Sequence, residues 1–259
     1  LRCKWCANPE GLERKFQIML KPTACVSCGA CVAVCPQHIH SITANGEHLI
    51  NRAIDCIGCG SCVRACMQSA LKVAGEQVPV SDLLAYLEED RVFYEQSGGG
   101  VTLSGGEVTS QPEAAINLLE ACKREGLHTA IETCGYAKKD VLLRFAEVVD
   151  LFLFDIKHMD PERHAELTGV RNEMILDNLE TLLQRRHNVK VRMPLLKGIN
   201  DSEPEIRAVV DFLTPYKALK NFKGIDLLPY HKLGVNKYTQ LGMDYAIDGD
   251  PSLSDDDLD

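Results

Sequence analysis

GGGVTLSGGE, residues 98–107, sets the short run Val101–Leu103 between two groups of glycines and closes it on an acid. Apolar and β-branched residues bounded by glycine read as a buried strand that ends abruptly. A helix is predicted near Gln111–Arg124, with apolar spacing at Ala115, Leu118, Leu119 and Cys122 and a stop at Gly126. The unit then recurs. His128–Ile131 leads into Glu132-Thr133-Cys134-Gly135, Leu151–Phe154 into Asp155-Ile156-Lys157, Val189–Val191 into Arg192-Met193-Pro194, and Ile225–Leu228 into Pro229-Tyr230-His231. A further helix is predicted over Asn172–Arg186. Strands alternating with helices imply a parallel sheet of the α/β class. In a βα barrel the C-terminal strand ends share the rim that carries the site. Glu107, Glu132, Asp155, Lys157, Arg192 and His231 are therefore expected to converge, although each alone reads equally well as a cap or a surface residue.

The chain has 259 residues, a net charge of −9 and a pI near 5.4, with no basic stripe. Nucleic acid is not an expected partner. No apolar run reaches the length of a membrane span, so no membrane is expected either. Ten of the twelve cysteines fall within the first 66 residues. A disulfide framework belongs to short secreted chains. This length and this clustered spacing point instead to metal ligation in a reducing compartment.

Cys25-x2-Cys28-x2-Cys31-x3-Cys35-Pro36 is followed by Cys56-x2-Cys59-x2-Cys62-x3-Cys66. Both runs have the spacing of bacterial ferredoxins, in which the fourth cysteine serves the other cluster. Cys25, Cys28, Cys31 and Cys66 are assigned to one [4Fe–4S] cluster, and Cys56, Cys59, Cys62 and Cys35 to a second. The fourth cysteine of each run is expected to begin a short helix. Structural zinc is the alternative, disfavoured by two complete runs. His40–Ile54, with Asn45-Gly46, reads as a hairpin joining the halves. His38, His40 and His48 are expected at the surface. The unit spans 22–76 and reads as an insert. Val80–Tyr94 reads as one helix with Ser81 as N-cap, linking the insert to the barrel. Ser97–Gly100 is a flexible turn without the Lys-Ser/Thr ending of a phosphate loop. Cys122 and Cys134 read as structural.

One pair of cysteines remains, Cys3-Lys4-Trp5-Cys6. With the Ser-Gly-Gly-Glu strand end and the βα repeat, it resembles the radical S-adenosylmethionine (SAM) superfamily, whose signature is Cys-x3-Cys-x-aromatic-Cys. The first cysteine of that signature would stand two positions before Leu1, so an upstream strand is expected too. Ser254 with Asp255–Asp257 reads as a helix start cut short at Asp259. "WCANPE", "GGGVTLSGGEVTSQ", "DIKHMD", "LTGV" and "LLPYHKLGVNKY" resemble the activating enzymes of glycyl radical enzymes, in the subgroup with an inserted two-cluster ferredoxin unit. The resemblance covers nearly the whole chain. It departs at Val108, where the family often has proline, and at Glu132, where relatives often have aspartate.

The resemblance implies a partial (β/α)6 TIM-like barrel with a ferredoxin-like α+β insert. Residues 1–21 would open the core, 22–76 form the insert and 77–259 carry the barrel. It implies three [4Fe–4S] clusters and SAM. Cys3 and Cys6 would ligate the SAM-binding cluster, with Trp5 on the adenine side. Gly105, Gly106 and Glu107 would meet the SAM ammonium, Lys157 and Arg192 its carboxylate or ribose side, and His231 would complete the pocket. Glu132, Thr133 and Asp155 would hold a monovalent cation or the substrate glycine loop. No residue is singled out as a catalytic acid or base. The implied reaction is one-electron cleavage of SAM to methionine and a 5′-deoxyadenosyl radical, which takes a hydrogen atom from a glycine Cα of a partner glycyl radical enzyme. Dehydratases, decarboxylases and carbon–nitrogen or carbon–sulfur lyases are the partner classes, and overall likeness leans to choline trimethylamine-lyase. A flavodoxin or ferredoxin donor, a monomer and an anaerobic cytoplasm are expected. The rival readings are a polyferredoxin, which leaves the barrel unexplained, and a peptide-modifying radical SAM enzyme, which tends to carry later cysteines than Cys134.

Overall fold

The computed structural model describes residues 1–254 and 257. The chain divides into two compact units. One comprises Leu1–Lys4, Val78–Lys232 and Ile247–Asp259, the other Trp5–Gln77 and Leu233–Ala246.

The first unit is built on five parallel strands in sequential order: β5 (Gly100–Leu103), β6 (His128–Thr133), β7 (Leu151–Asp155), β8 (Val189–Leu195) and β9 (Phe222–Pro229). Helices return the chain between them: α5 (Pro112–Arg124), α6 (Lys139–Ala146), α7 (Pro161–Thr168), α8 (Glu173–Gln184) and α9 (Glu203–Leu213). All five strands read from the sequence are present. Their alternation sorts the two faces. Ile131, Phe152, Phe154, Val189, Val191 and Met193 are fully or almost fully buried and pack with Leu142, Phe145, Leu179 and Leu182 from the helices. Glu132, Asp155 and Arg192 project from the opposite face. Several strands run further than expected. β8 continues through Arg192, Met193 and Pro194, and Pro194 stays in register opposite Leu228 of β9.

The predicted helix Val80–Tyr94 is two helices, α3 (Val80–Glu88) and α4 (Arg91–Ser97), broken at Glu89-Asp90. Ser81 is not its cap. Pro79 holds that position, and the Ser81 hydroxyl donates to Asp82 instead. The cores of these helices face Val101, Leu118, Cys122 and Leu127, so Cys122 is a core residue.

Gly100 opens β5 opposite His128. A Cβ at this position would lie 2.0 Å from the His128 carbonyl oxygen. Backbone cannot swing aside as a side chain can. Gly100→Ala is therefore expected to cost about 3 kcal/mol by overpacking, read as a lowered Tm with the first sheet pairing weakened.

The second unit is small and repetitive. Its strands are β1 (Gln17–Leu20), paired antiparallel with β4 (Leu71–Ala74), and β2 (His40–Ile42), paired with β3 (His48–Ile50) across the expected Asn45-Gly46 turn. This grouping takes in more of the chain than 22–76, because β1 before that segment pairs with β4 at its end. Two five-residue helices, α1 (Ala30–Val34) and α2 (Ser61–Ala65), follow Gly29 and Gly60. Left-handed backbone recurs every 31 residues, at Ser27 and Gly58, Gly29 and Gly60, His38 and Ser69. Cys35 and Cys66 end these helices rather than begin them, because the glycine before each helix sets its start. A last helix, α10 (Val235–Leu241), completes this unit. Within it Tyr238 donates to the Cys6 carbonyl and Lys237 pairs with Glu10.

No helix among the described residues is long and apolar enough to cross a membrane. The helix start expected at Ser254 falls on residues 255, 256, 258 and 259, outside the described residues. Ser254 and Asp257 themselves are hydrogen-bonded to one another.

Candidate functional site

Two places gather the residues singled out above. In the second unit the cysteines line two cavities. One is bounded by Cys25, Cys28, Cys31 and Cys66. The other is bounded by Cys35, Cys56, Cys59 and Cys62. Each run of four thus lends its last cysteine to the other's cavity. No disulfide joins any of the twelve cysteines. Burial pushes the Cys62 thiol up to about 11, and the neighbouring Cys35 and Cys56 push in the same direction. Burial likewise raises Cys31, with Cys25 and Cys28 adding to it. Four sulfurs gathered round each cavity, with Cys31 and Cys62 resisting ionisation at their inner walls, suit a cationic core that would neutralise them. The donor set therefore fits iron–sulfur clusters.

His40 and His48 correct the surface reading given to the insert's histidines. His40 is 3% exposed and His48 half-buried. Their ring nitrogens lie 3.0 Å apart, and His48 reaches Cys25 and Cys31. Burial lowers His40 to about 4, with the His48 charge adding to it, and burial lowers His48 as well. They turn inward because strand alternation in the β2–β3 hairpin aims them at the cysteines. His38 takes left-handed backbone just past Cys35.

The strand ends of the first unit carry an alternating chain of charges. Ser104 donates to Glu132, whose other oxygen accepts from Arg192 at 2.6 Å. Arg192 Nε donates to Asp155 at 2.8 Å, and Lys157 Nζ donates to the second Asp155 oxygen at 2.8 Å. Asp155 and Arg192 are register partners on β7 and β8, and the guanidinium reaches past β7 to Glu132 on β6. Burial alone would raise the Glu132 carboxyl, but hydrogen bonds from Arg192 and Ser104 hold it below its ordinary range. Burial would lower Lys157, but the charges of Asp155 and Cys3 outweigh it and raise the ammonium. Arg192 is raised in the same way by Glu132 and Asp155 against its own burial. Cys3 is held beside Lys157 by its neighbours, since Arg2 N donates to Thr168 O and Lys4 N to Leu167 O.

Glu107 stands apart from this chain. One carboxylate oxygen accepts from the Thr109 amide, the Thr109 hydroxyl and the Thr133 hydroxyl. The other accepts from the Cys134 amide and thiol. Burial, then the Glu107 charge, push the Cys134 thiol far up, so it stays a donor. The carboxylate braces its own loop. Gly105, two residues before it, has φ +110°, and a Cβ there would meet nothing within 4 Å. Backbone conformation, not space, requires glycine at this point.

Glu132, Thr133 and Asp155 are not brought together. Glu132 and Asp155 share Arg192, whereas Thr133 lies on the other face of β6 with Glu107. His231 is exposed just past β9 and stacks on Tyr230, without a hydrogen bond to the charge chain among the described residues. Trp5 is buried and Cys6 half-buried in the second unit.

The radical SAM superfamily matches residues 56–210, and a 4Fe–4S dicluster domain matches 24–71. The choline trimethylamine-lyase activating enzyme of Oleidesulfovibrio alaskensis is 61% identical over 259 residues, covering 100% of this chain and 84% of the relative. The chain belongs to the radical SAM superfamily, among the activating enzymes of glycyl radical enzymes. The trans-4-hydroxy-L-proline dehydratase activating enzyme of Clostridioides difficile is 42% identical over 95% of this chain and 80% of its own length. The peptide-bound structure of Streptococcus suis SuiB covers 66% of this chain and 36% of its own, at 21% identity and a TM-score of 0.51, and shares the fold.

Three buried asparagines hold the loops at the strand ends, and sequence reading passed over them. Asn178 donates to Gly135 O and Ala137 O after β6. Asn172 donates to His158 O and Met159 O. Asn200 donates to Lys157 O and Pro194 O and accepts from Leu196 N. A fourth, Asn221, ties the opposite end of the sheet, donating to Leu183 O and His187 O just before β8. Asn178 alone left a signal, an amide at an apolar-face position of α8.

Proposed function

We propose that this activating enzyme installs the glycyl radical of a choline trimethylamine-lyase. The observation that carries this reading is the step in identity. The choline trimethylamine-lyase activase is 61% identical over the full chain, whereas activases of other lyases, dehydratases and synthases fall at 35–42%.

We assign three [4Fe–4S] clusters, one held through Cys3 and Cys6 on the strength of their spacing and two in the inserted ferredoxin-like segment at about 22–76. With a cluster and SAM bound, the chemistry supplied is one-electron cleavage of the sulfonium to methionine and a 5′-deoxyadenosyl radical that takes a glycine hydrogen atom. The chain's own residues prepare the ground. Gly105 and Gly106 leave backbone open to the methionyl end of SAM, on a loop whose shape Glu107 maintains. Lys157 and Arg192 face its carboxylate or ribose side, with donors left over after their bonds to Asp155 and Glu132. Trp5, by its place in the Cys3–Cys6 motif, is assigned to the adenine side, and His231 to the SAM pocket. Glu132, Thr133 and Asp155 stay close to the rim where a glycine loop would enter. The two ferredoxin-type clusters carry electrons from a flavodoxin or ferredoxin.

The test mixes the full-length, anaerobically reconstituted protein with SAM, flavodoxin as reductant and choline trimethylamine-lyase, and reads the glycyl radical by EPR. A radical on this partner, absent with a hydroxyproline dehydratase, is the expected result. Cys28→Ser and Cys59→Ser are expected to slow radical formation with flavodoxin but not with a chemical reductant. Formation on the dehydratase alone would overturn the partner assignment.

A further inference from the structure

The two cysteine cavities differ in their walls. His48 stands in the wall of the first. Its Nδ1 lies 3.4 Å from Cys25 Sγ, and its Nε2 lies 3.6 Å from Cys31 Sγ and 3.0 Å from Nδ1 of His40. The second cavity is lined, beside its cysteines, by Ile18, Pro36, Gln37, Ile39, Ile57 and Gly60, with no imidazole among the described residues.

The proton positions follow from hydrogen-bond bookkeeping. A bond between two ring nitrogens needs one donor and one acceptor. If His48 donated from Nε2, its Nδ1 would turn a lone pair towards a thiolate, which can only accept. His40 Nε2 would then carry a proton, yet this atom is buried and has no hydrogen-bond partner. A buried N–H without an acceptor is among the rarest states in folded proteins. The opposite direction satisfies the shorter contact to Cys25 and leaves no buried N–H bare, with Cys31 Sγ 3.6 Å from an Nε2 whose lone pair His40 already takes up. His40 Nδ1–H donates to His48 Nε2, and His48 Nδ1–H donates to Cys25 Sγ. Only one lone pair, on His40, is left bare.

We propose that His40 and His48 form a built hydrogen-bond relay that fixes a donor on the Cys25 sulfur and raises the reduction potential of the cluster held by Cys25, Cys28, Cys31 and Cys66. This rests on the cluster assignment above. A ligand sulfur that accepts a hydrogen bond carries less of the added charge, so the reduced cluster gains more than the oxidised one. His48 makes the contact. His40 is a positioning residue, held in place by the β2–β3 pairing of His40 with Ile50.

The experiment is an EPR-monitored redox titration of the reconstituted full-length protein and its variants. The unaltered protein is expected to show two ferredoxin-type waves. In His48→Leu one wave shifts to more negative potential and the other stays. In His48→Asn, whose side-chain amide sits near the place of Nδ1, the shift is largely rescued. His40→Leu moves the same wave in the same direction by a smaller amount. Unmoved waves in a His48→Leu protein of full iron content would defeat the relay, as would an Asn variant that behaves like Leu. Should His48→Leu not assemble, the unaltered protein grown with ¹⁵N-histidine decides the matter. A nitrogen coupling on one reduced cluster is expected, and its absence overturns the proposal. Cys31, His40 and His48 also place ligand atoms within 4.8 Å of one another, as a single metal ion would need. One zinc per chain in place of a wave would overturn relay and cluster assignment together, whereas two waves insensitive to His48 would overturn the relay alone.

Discussion

Cys3→Ala in the full-length protein is expected to reduce 5′-deoxyadenosine formation to background while both ferredoxin-type waves persist. The local structure explains why so small a change should act so completely. The backbone on either side of Cys3 is tied to the end of α7 through the carbonyls of Leu167 and Thr168, so the thiol has one place to be. That place is beside Lys157, whose ammonium is raised partly by the Cys3 charge. A thiolate at this position would be paired by the Lys157 ammonium. Alanine removes the ligand without disturbing the two backbone bonds, so the fold should survive. Cys3→Ser separates ligation from packing, since it keeps the volume and offers a poorer donor. Product formation that continues in Cys3→Ala would show that the cleavage cluster is held elsewhere.

The second large effect is expected at Arg192. Its guanidinium has a side-chain exposure of 15% and lies between Asp155 at 17% and Glu132 at 32%. Arg192→Ala leaves two carboxylates facing each other with Lys157 the remaining cation and only the Ser104 hydroxyl still donating to Glu132. Breaking a largely buried pair from one side costs about 3 kcal/mol, and misplacing the rim should slow SAM cleavage about 100-fold. The pH dependence has a definite sign. In the intact protein the Glu132 carboxyl lies below its ordinary value of 4.5. Its contribution is full above 4.5 and is lost as the pH falls through the lower folded value. Without Arg192, burial and the Asp155 charge push the carboxyl up, so the folded variant is penalised near neutrality and relieved by protonation. The difference in Tm between the two proteins should be largest near pH 7 and shrink as pH approaches about 4. A constant difference across that range would mean that Arg192 acts through packing alone.

The strands were legible because each is a short apolar run closed by glycine or charge, a pattern set by local burial. Their parallel order followed from the helices between them. The charge chain was legible only as a set of strand-end residues. Which acid meets which base depends on the register of β6, β7 and β8, which strand-end residues alone do not fix. The partners of Glu107 were illegible for a related reason. An acid on a glycine-rich loop looks free to meet a ligand, yet Thr109, Thr133 and Cys134 take up both its oxygens. Apart from Asn178, the buried asparagines were illegible because their partners are backbone carbonyls outside their own elements. His40 and His48 were read as surface residues because the cysteine count was already complete and gave no reason to look for a neighbour.

The 31-residue recurrence in the small unit has a consequence for how it is made. Neither copy encloses a cavity with its own four cysteines, since Cys35 and Cys66 are exchanged between them. The two copies are clasped like linked fingers, and neither grip closes unless the other is present. On the assigned ligand sets, neither cavity has its four cysteines while only the first copy exists, and filling of the first would wait until Cys66 has left the ribosome.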